Sequence, residues 1–159
     1  MKNLKQWWSV VLGLLALTVA HAPGAAQAQT AQTCGTTSWD LTAGQHIDVG
    51  TVTVSNSQTH LYVTYTLDDS DYPSATFGTL HLWVGNSLLN LPANRQGTPV
   101  PGQFCQADGG ACVDATGLQT YTFALPFSAL NIVDASAVCG TSLYVVTHAE
   151  VDLDGDPST

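Results

Sequence analysis

Alternating apolar and polar positions dominate the middle of the chain. The run HLYVTYTL (60–67) has an apolar residue at every second position, and TLHLWV (79–84) repeats the pattern. A period of two, in segments rich in β-branched and aromatic residues, is typical of half-buried strands. We therefore predict two central strands that pair with each other as a hairpin, joined by an acidic loop.

Further strand patterns flank this pair. Residues 120–125 alternate, and so do residues 143–151. In HIDVGTVTV (46–54) the apolar residues Ile47 and Val49 occupy odd positions, whereas Val52 and Val54 occupy even ones. Because a slip of one residue turns every side chain to the other face, this change of phase predicts a β-bulge or sharp bend at Gly50.

No segment has the pattern of a helix of three turns, although residues 126–133 are compatible with a single helical turn. Short strands separated by turn signals favour an all-β fold, a single antiparallel β-sandwich domain. Between the strands, Pro92 to Leu118 is rich in proline and glycine and has no sustained periodicity, which predicts a long irregular loop.

The first 28 residues have the features of a secretory signal peptide. Two lysines precede an apolar run, which is followed by the small-residue pattern Ala26-Gln27-Ala28. We expect cleavage after Ala28, with Ala22 as an alternative, and an exported chain without a membrane anchor. The expected organisation is a signal peptide at 1–28, a flexible arm at 29–37, the β-sandwich at 38–151 and an acidic tail at 152–159.

Four cysteines follow the predicted signal peptide, and an even number in an exported chain indicates disulfide bonds. Three pairings are possible. We favour Cys105–Cys112, which would staple the long loop, and Cys34–Cys139, which would tie the N-terminal arm to the start of the last strand. A zinc site is disfavoured because no CxxC spacing occurs.

Charge limits the possible partners. After cleavage, Arg95 is the only remaining lysine or arginine, and all 12 acidic residues remain, so the formal net charge is −11. Nucleic acids are polyanions that proteins bind by neutralising phosphates with lysine and arginine. We therefore expect no nucleic-acid partner, and the same argument disfavours anionic membrane surfaces. An extracellular protein or a polysaccharide remains as the expected partner.

The order of several short motifs carries a resemblance. The succession AGQHIDVGTVTVSNSQTHLYVTY, HLWVG, PVPGQF and TSLYVVTHAEV covers most of residues 41–151. It resembles a group of uncharacterised secreted bacterial β-domain proteins. The resemblance implies an exported β-rich domain and brings no established activity, substrate or catalytic residue.

One candidate site is a carbohydrate-binding face. Pairing of the two central strands would place aromatic and histidine side chains on one side of the sheet. Aromatic rings stack on the apolar faces of sugars while polar neighbours bind the hydroxyls. The candidate residues are Trp83, Tyr62, His81, His60 and Tyr144. The alternative is that Trp83 covers a sheet edge or packs under the loop from Pro92 to Leu118.

Two metal sites are also candidates. Calcium prefers clustered oxygen ligands, and aspartates occur in two short groups. These are Asp68, Asp69 and Asp71 in the loop after the first central strand, and Asp152, Asp154 and Asp156 in the tail. Imidazole and carboxylate groups bind transition metals, and residues two apart on a strand share a face. The second candidate ligand set is therefore His81, His148 and Glu150.

No GxSxG, HExxH, P-loop or dinucleotide-binding fingerprint occurs, and Glu150 is the single glutamate. We therefore expect no enzymatic activity and no required cofactor, with calcium as a possible ligand. The leading hypothesis is a secreted structural or interaction domain. The alternatives are a carbohydrate-binding module and a calcium-binding β-domain, and a small metal-dependent enzyme ranks last.

Overall fold

The computed structural model describes residues 33–44, 47–68, 70–130 and 135–154. The predicted signal peptide, Asp69 and Asp156 lie outside these ranges. Seven strands occur in the described residues: β1 Thr37–Ala43, β2 Ile47–Asn56, β3 His60–Leu67, β4 Thr76–Gly85, β5 Gly110–Asp114, β6 Thr120–Pro126 and β7 Tyr144–Asp152. Short 3₁₀ turns span Leu88–Asn90, Pro101–Gln106, Phe127–Leu130 and Ala135–Gly140. No helix in this part of the chain has the length and apolar character needed to span a bilayer.

The strands form two antiparallel sheets, which confirms the predicted all-β sandwich. The four-stranded sheet has the order β1-β2-β3-β6, and the three-stranded sheet has the order β5-β4-β7. Alternate residues of each strand point into the shared core. The buried cluster comprises Val49, Val52, Leu61, Val63, Tyr65, Leu67, Ala75, Phe77, Leu80, Leu82, Val84, Ala115, Phe123, Phe127 and Leu130.

The predicted hairpin of the two central strands is wrong. β3 pairs with β2 and β6, whereas β4 pairs with β5 and β7, so the acidic loop between them crosses from one sheet to the other. Alternation indicates that each strand buries one face. It does not identify the neighbouring strand, because opposite layers of a sandwich have the same pattern.

The predicted irregularity at Gly50 is confirmed. Leu41 pairs with Gly50 but Thr42 pairs with Asp48, so Val49 is an extra residue on β2. Val49 and Val52 are consequently both buried although three positions separate them. Gly50 has a φ of 153°, and a Cβ atom there would lie 2.0 Å from the carbonyl oxygen of Thr66. The bulge therefore requires glycine at this position.

Both favoured disulfides, Cys105–Cys112 and Cys34–Cys139, are present. The loop from Pro92 to Leu118 is less irregular than predicted, because it contains β5 and the turn Pro101–Gln106. β5 has only five residues, and two of them are Gly110 and Cys112, so it lacks the apolar alternation that would reveal it. Pairing with β4 gives this segment the strand conformation that its local sequence does not predict.

A core tyrosine connects the two sheets. Tyr65 on β3 is completely buried, and its ring makes edge contacts with Phe77 and Phe123 at centroid distances of 6.2 and 5.8 Å. Its hydroxyl donates a hydrogen bond of 2.9 Å to the carbonyl oxygen of His81 on β4. Burial raises the pKa of the phenol, which keeps it protonated as the donor.

We predict that Gly50→Ala lowers the free energy of unfolding by about 3 kcal/mol, because the added methyl meets the Thr66 carbonyl and the backbone conformation becomes strained. Urea denaturation measures the change. Gly102→Ala is the control: no atom lies within 4 Å of the corresponding Cβ, so its effect should stay within about 0.5 kcal/mol. Equal stability of the two variants would contradict the assigned bulge.

Candidate functional site

The predicted aromatic and histidine face does not form as one surface. His60 and Tyr62 lie on the outer face of the four-stranded sheet. His81, Trp83 and Tyr144 belong to the three-stranded sheet. Placing all five residues on one face was wrong because it depended on the pairing of β3 with β4.

Trp83 is completely buried, although it lies in the outward phase of β4. The turn Pro101–Gln106 packs against this part of β4, and Phe104 within it is also fully buried. The ring of Trp83 also covers Gly85, where a Cβ atom would lie 2.5 Å from the indole. Trp83 therefore packs within the fold and offers no exposed ring for stacking on a sugar.

The outer face of the four-stranded sheet carries two aligned rows of hydroxyl groups, which we call the hydroxyl face. Strand register places Ser38, Thr53, Thr64 and Thr122 in the first row, and Asp40, Thr51, Thr66 and Thr120 in the second. Within the first row, the hydroxyls of Ser38 and Thr53 lie 2.8 Å apart, and those of Thr64 and Thr122 lie 2.9 Å apart. These hydrogen bonds order the side chains across neighbouring strands.

This face was not predicted, although the sequence contains its signal. Three strands carry threonines two residues apart: 51 and 53, 64 and 66, and 120 and 122. Such spacing places both threonines of each strand on one face. Only the strand order, with β6 beside β3, shows that the three pairs adjoin.

Two aromatic side chains extend the hydroxyl face along β3. The rings of His60 and Tyr62 stack with a centroid distance of 6.1 Å and an interplanar angle of 21°. The hydroxyl of Thr59 lies 2.8 Å from His60 Nδ1 and orients the imidazole. Both rings are half-buried, so part of the surface of each ring is in contact with solvent.

A second polar cluster lies on the outer face of the three-stranded sheet. His81 on β4 and His148 on β7 are directly paired, and their Nδ1 atoms lie 3.4 Å apart. His81 is buried and His148 is exposed. Glu150 shares this face, as predicted, and its carboxylate accepts a hydrogen bond of 3.1 Å from the backbone N–H of Thr79.

The charges of this cluster are coupled. Burial lowers the pKa of His81, and the nearby His148 lowers it further, whereas Glu150 acts in the opposite direction. The hydrogen bond from Thr79 is the main cause of a lowered pKa for Glu150, and both histidines contribute. His81 therefore favours the neutral imidazole, the form that binds metals.

The Cys105–Cys112 disulfide lies on the other side of His81. Cys112 on β5 is directly paired with His81, and a ring nitrogen of His81 lies within 4.8 Å of both sulfur atoms. As a disulfide, the two sulfurs carry no thiolate charge and are weak ligands. This proximity was not predicted, because the sequence analysis did not identify β5 and therefore could not place the Cys105–Cys112 disulfide beside β4.

Each predicted calcium set has two members in the described part of the chain, Asp68 with Asp71 and Asp152 with Asp154. The carboxylate of Asp68 accepts a hydrogen bond from the backbone of Ser70, which lowers the pKa of Asp68, and Asp152 accepts one from the backbone of Asp154. Both are local turn interactions. Asp71 is exposed. Among the described residues, no three carboxylates converge on one position. Calcium binding stays a prediction, as does a site formed by His81, His148 and Glu150.

We predict that stability falls as pH drops through about 6.5 and that His81 contributes to this fall. The folded state lowers the pKa of His81, so the unfolded state binds more protons in that range. The urea midpoint should therefore be lower at pH 5.5 than at pH 7.5, measured with a chelator present. The difference should shrink in His81→Gln and persist in the control His60→Gln. An undiminished difference in His81→Gln would contradict the assigned cause.

Comparison of the chain with protein families, curated proteins and solved structures found no family model, no curated protein and no solved structure that matches.

Proposed function

We propose that the protein is a non-enzymatic, extracellular interaction domain and that the hydroxyl face, together with His60 and Tyr62, is its binding surface. The observation that carries this proposal is the alignment of hydroxyl groups in two rows, one across all four strands and one across β2, β3 and β6. Export is supported by the signal-peptide pattern of residues 1–28 and by the two disulfides, which persist in oxidising compartments.

The charge distribution supports a neutral partner. The chain is strongly acidic after the predicted cleavage, yet the two rows contain one charged residue, Asp40, which lies on the edge strand β1. The high β-propensity of threonine and the low β-propensity of aspartate both contribute to this composition. A surface with few charged groups can bind an uncharged partner through hydrogen bonds and apolar contacts.

A neutral polysaccharide is the partner that this surface fits best. Hydroxyl groups donate and accept hydrogen bonds, as sugar hydroxyls do, and the stacked rings of His60 and Tyr62 supply apolar area for a sugar ring. The hydrogen bonds Ser38–Thr53 and Thr64–Thr122 already restrict these side chains. Less conformational entropy is therefore lost on binding.

A second candidate partner is another protein. Trp39 on the edge strand β1 is 53% exposed, and Ile47 at the start of β2 is 40% exposed. An extended segment of another chain can pair with a free strand edge and contact such apolar groups. Protein binding would use the edge strand β1, whereas polysaccharide binding would use the hydroxyl face. Variants on the two surfaces can therefore distinguish the two partners.

We predict that the mature, oxidised domain is retained by an insoluble neutral polysaccharide such as cellulose, chitin or xylan. Tyr62→Ala combined with Thr64→Val should reduce retention by about tenfold, because stacking and one ordered hydroxyl are lost. Depletion of the protein from solution over a range of polysaccharide amounts gives the affinity. Measurements with calcium and with a chelator test the calcium alternative.

The matched control is Tyr144→Ala combined with Thr98→Val. Tyr144 is 47% exposed on the three-stranded sheet, and Thr98 is exposed in a loop, so these changes remove the same groups elsewhere. Equal losses in both double variants would contradict the assigned face. Absence of retention on every polysaccharide would exclude the glycan partner and leave the edge of β1 to be tested with Trp39→Ser.

A further inference from the structure

We propose that reduction of the Cys105–Cys112 disulfide converts the row Cys112–His81–His148 into a tetrahedral binding site for Zn²⁺. The ligands would be both sulfurs and the Nδ1 atoms of His81 and His148. The site is independent of the hydroxyl face, which lies on the opposite sheet.

Strand register brings the ligands together. β4 is the central strand of the three-stranded sheet, and His81 is directly paired with Cys112 on one side and with His148 on the other. Directly paired residues of antiparallel strands present their side chains on the same face. Cys105 reaches this row through the turn Pro101–Gln106 and its bond to Cys112.

The distances suit a tetrahedral ion. Two nitrogens bonded to one zinc ion at about 2.0–2.1 Å lie about 3.4 Å apart, and the two Nδ1 atoms lie 3.4 Å apart. Sulfur bonded at about 2.3 Å lies about 3.6 Å from each nitrogen and about 3.8 Å from the second sulfur. One ring nitrogen of His81 and the two sulfurs already lie within 4.8 Å of one another. His148 lies outside that group, so after reduction the sulfurs must separate and the imidazole of His148 must turn towards them.

The chemistry requires a dithiol reductant. The reductant gives two electrons and two protons to the protein, so the S–S bond is replaced by two S–H groups and the reductant becomes a disulfide. Binding of Zn²⁺ then releases the two protons, and the two thiolates and two neutral imidazoles complete the ligand set. Burial already favours the neutral form of His81.

The disulfide is positioned for such a reaction. Cys105 is exposed and Cys112 is half-buried, so a small dithiol can reach the bond. The other disulfide, Cys34–Cys139, has no comparable histidine partner among the described residues. A metal ion bound to both cysteines would hold the turn Pro101–Gln106 to β5 in place of the covalent bond, and His81 would connect it to β4.

We predict that the mature protein, reduced by a dithiol and freed of it under anaerobic conditions, binds one equivalent of Co²⁺. Thiolate-to-cobalt charge-transfer absorption and the visible bands of tetrahedral Co²⁺ report the binding, and Zn²⁺ should displace the cobalt. The oxidised protein should show no charge-transfer band. His148→Gln and His81→Gln should each weaken binding by about tenfold or more, because each removes a ligand.

His46→Gln, which removes a histidine that belongs to neither proposed site, is the control and should bind Co²⁺ as the unmodified chain does. Binding that is unaffected by His81→Gln and His148→Gln would overturn the proposal, because it would show that the cysteines act without these imidazoles. Absence of the charge-transfer band in the reduced protein would also overturn it. If the reduced chain is unfolded without metal, Zn²⁺ should restore folding by mass action, because it binds the folded state. Circular dichroism with and without Zn²⁺ measures this recovery. Absence of recovery would likewise overturn the proposal.

Discussion

The hydrogen bond from Tyr65 to the carbonyl oxygen of His81 joins the two layers of the sandwich. Apolar packing between sheets tolerates sliding, because the hydrophobic effect has no direction. A buried hydroxyl has a strict requirement for a partner, since leaving it unpaired costs about 1–3 kcal/mol. This bond therefore fixes β3 relative to β4, and β4 is the strand that presents His81 on its opposite, outward side.

The two sheets divide the surface chemistry of the domain. The outer face of the four-stranded sheet carries hydroxyl groups and the carboxylate of Asp40, whereas the outer face of the three-stranded sheet carries imidazoles, a carboxylate and a disulfide. Both faces depend on strands whose inner sides build one common core. Substitutions in the core are consequently poor probes of function, because they alter both faces together.

Local patterns predicted much of the fold. Alternation predicted β3, β4, β6 and β7, the change of phase predicted the bulge at Gly50, and cysteine positions predicted both disulfides. Strand partners were not predictable, because pairing depends on contacts distant in sequence. β5 was missed for the same reason: its five residues gain their extended form from pairing with β4. The burial of Trp83 agrees with the alternative interpretation, in which the segment from Pro92 to Leu118 covers it; alternation alone does not distinguish this arrangement from an exposed ring.

The Cys34–Cys139 bond has a mechanical consequence. It joins the segment before β1 to the segment before β7, and it spans 105 residues of sequence. A tensile load applied between the two ends of the domain passes through this covalent bond, so the strands from β1 to β6 lie outside the loaded path. Only β7 and its flanking residues can extend under the load. A domain with this cross-link keeps its four-stranded sheet intact when force is applied to its two ends.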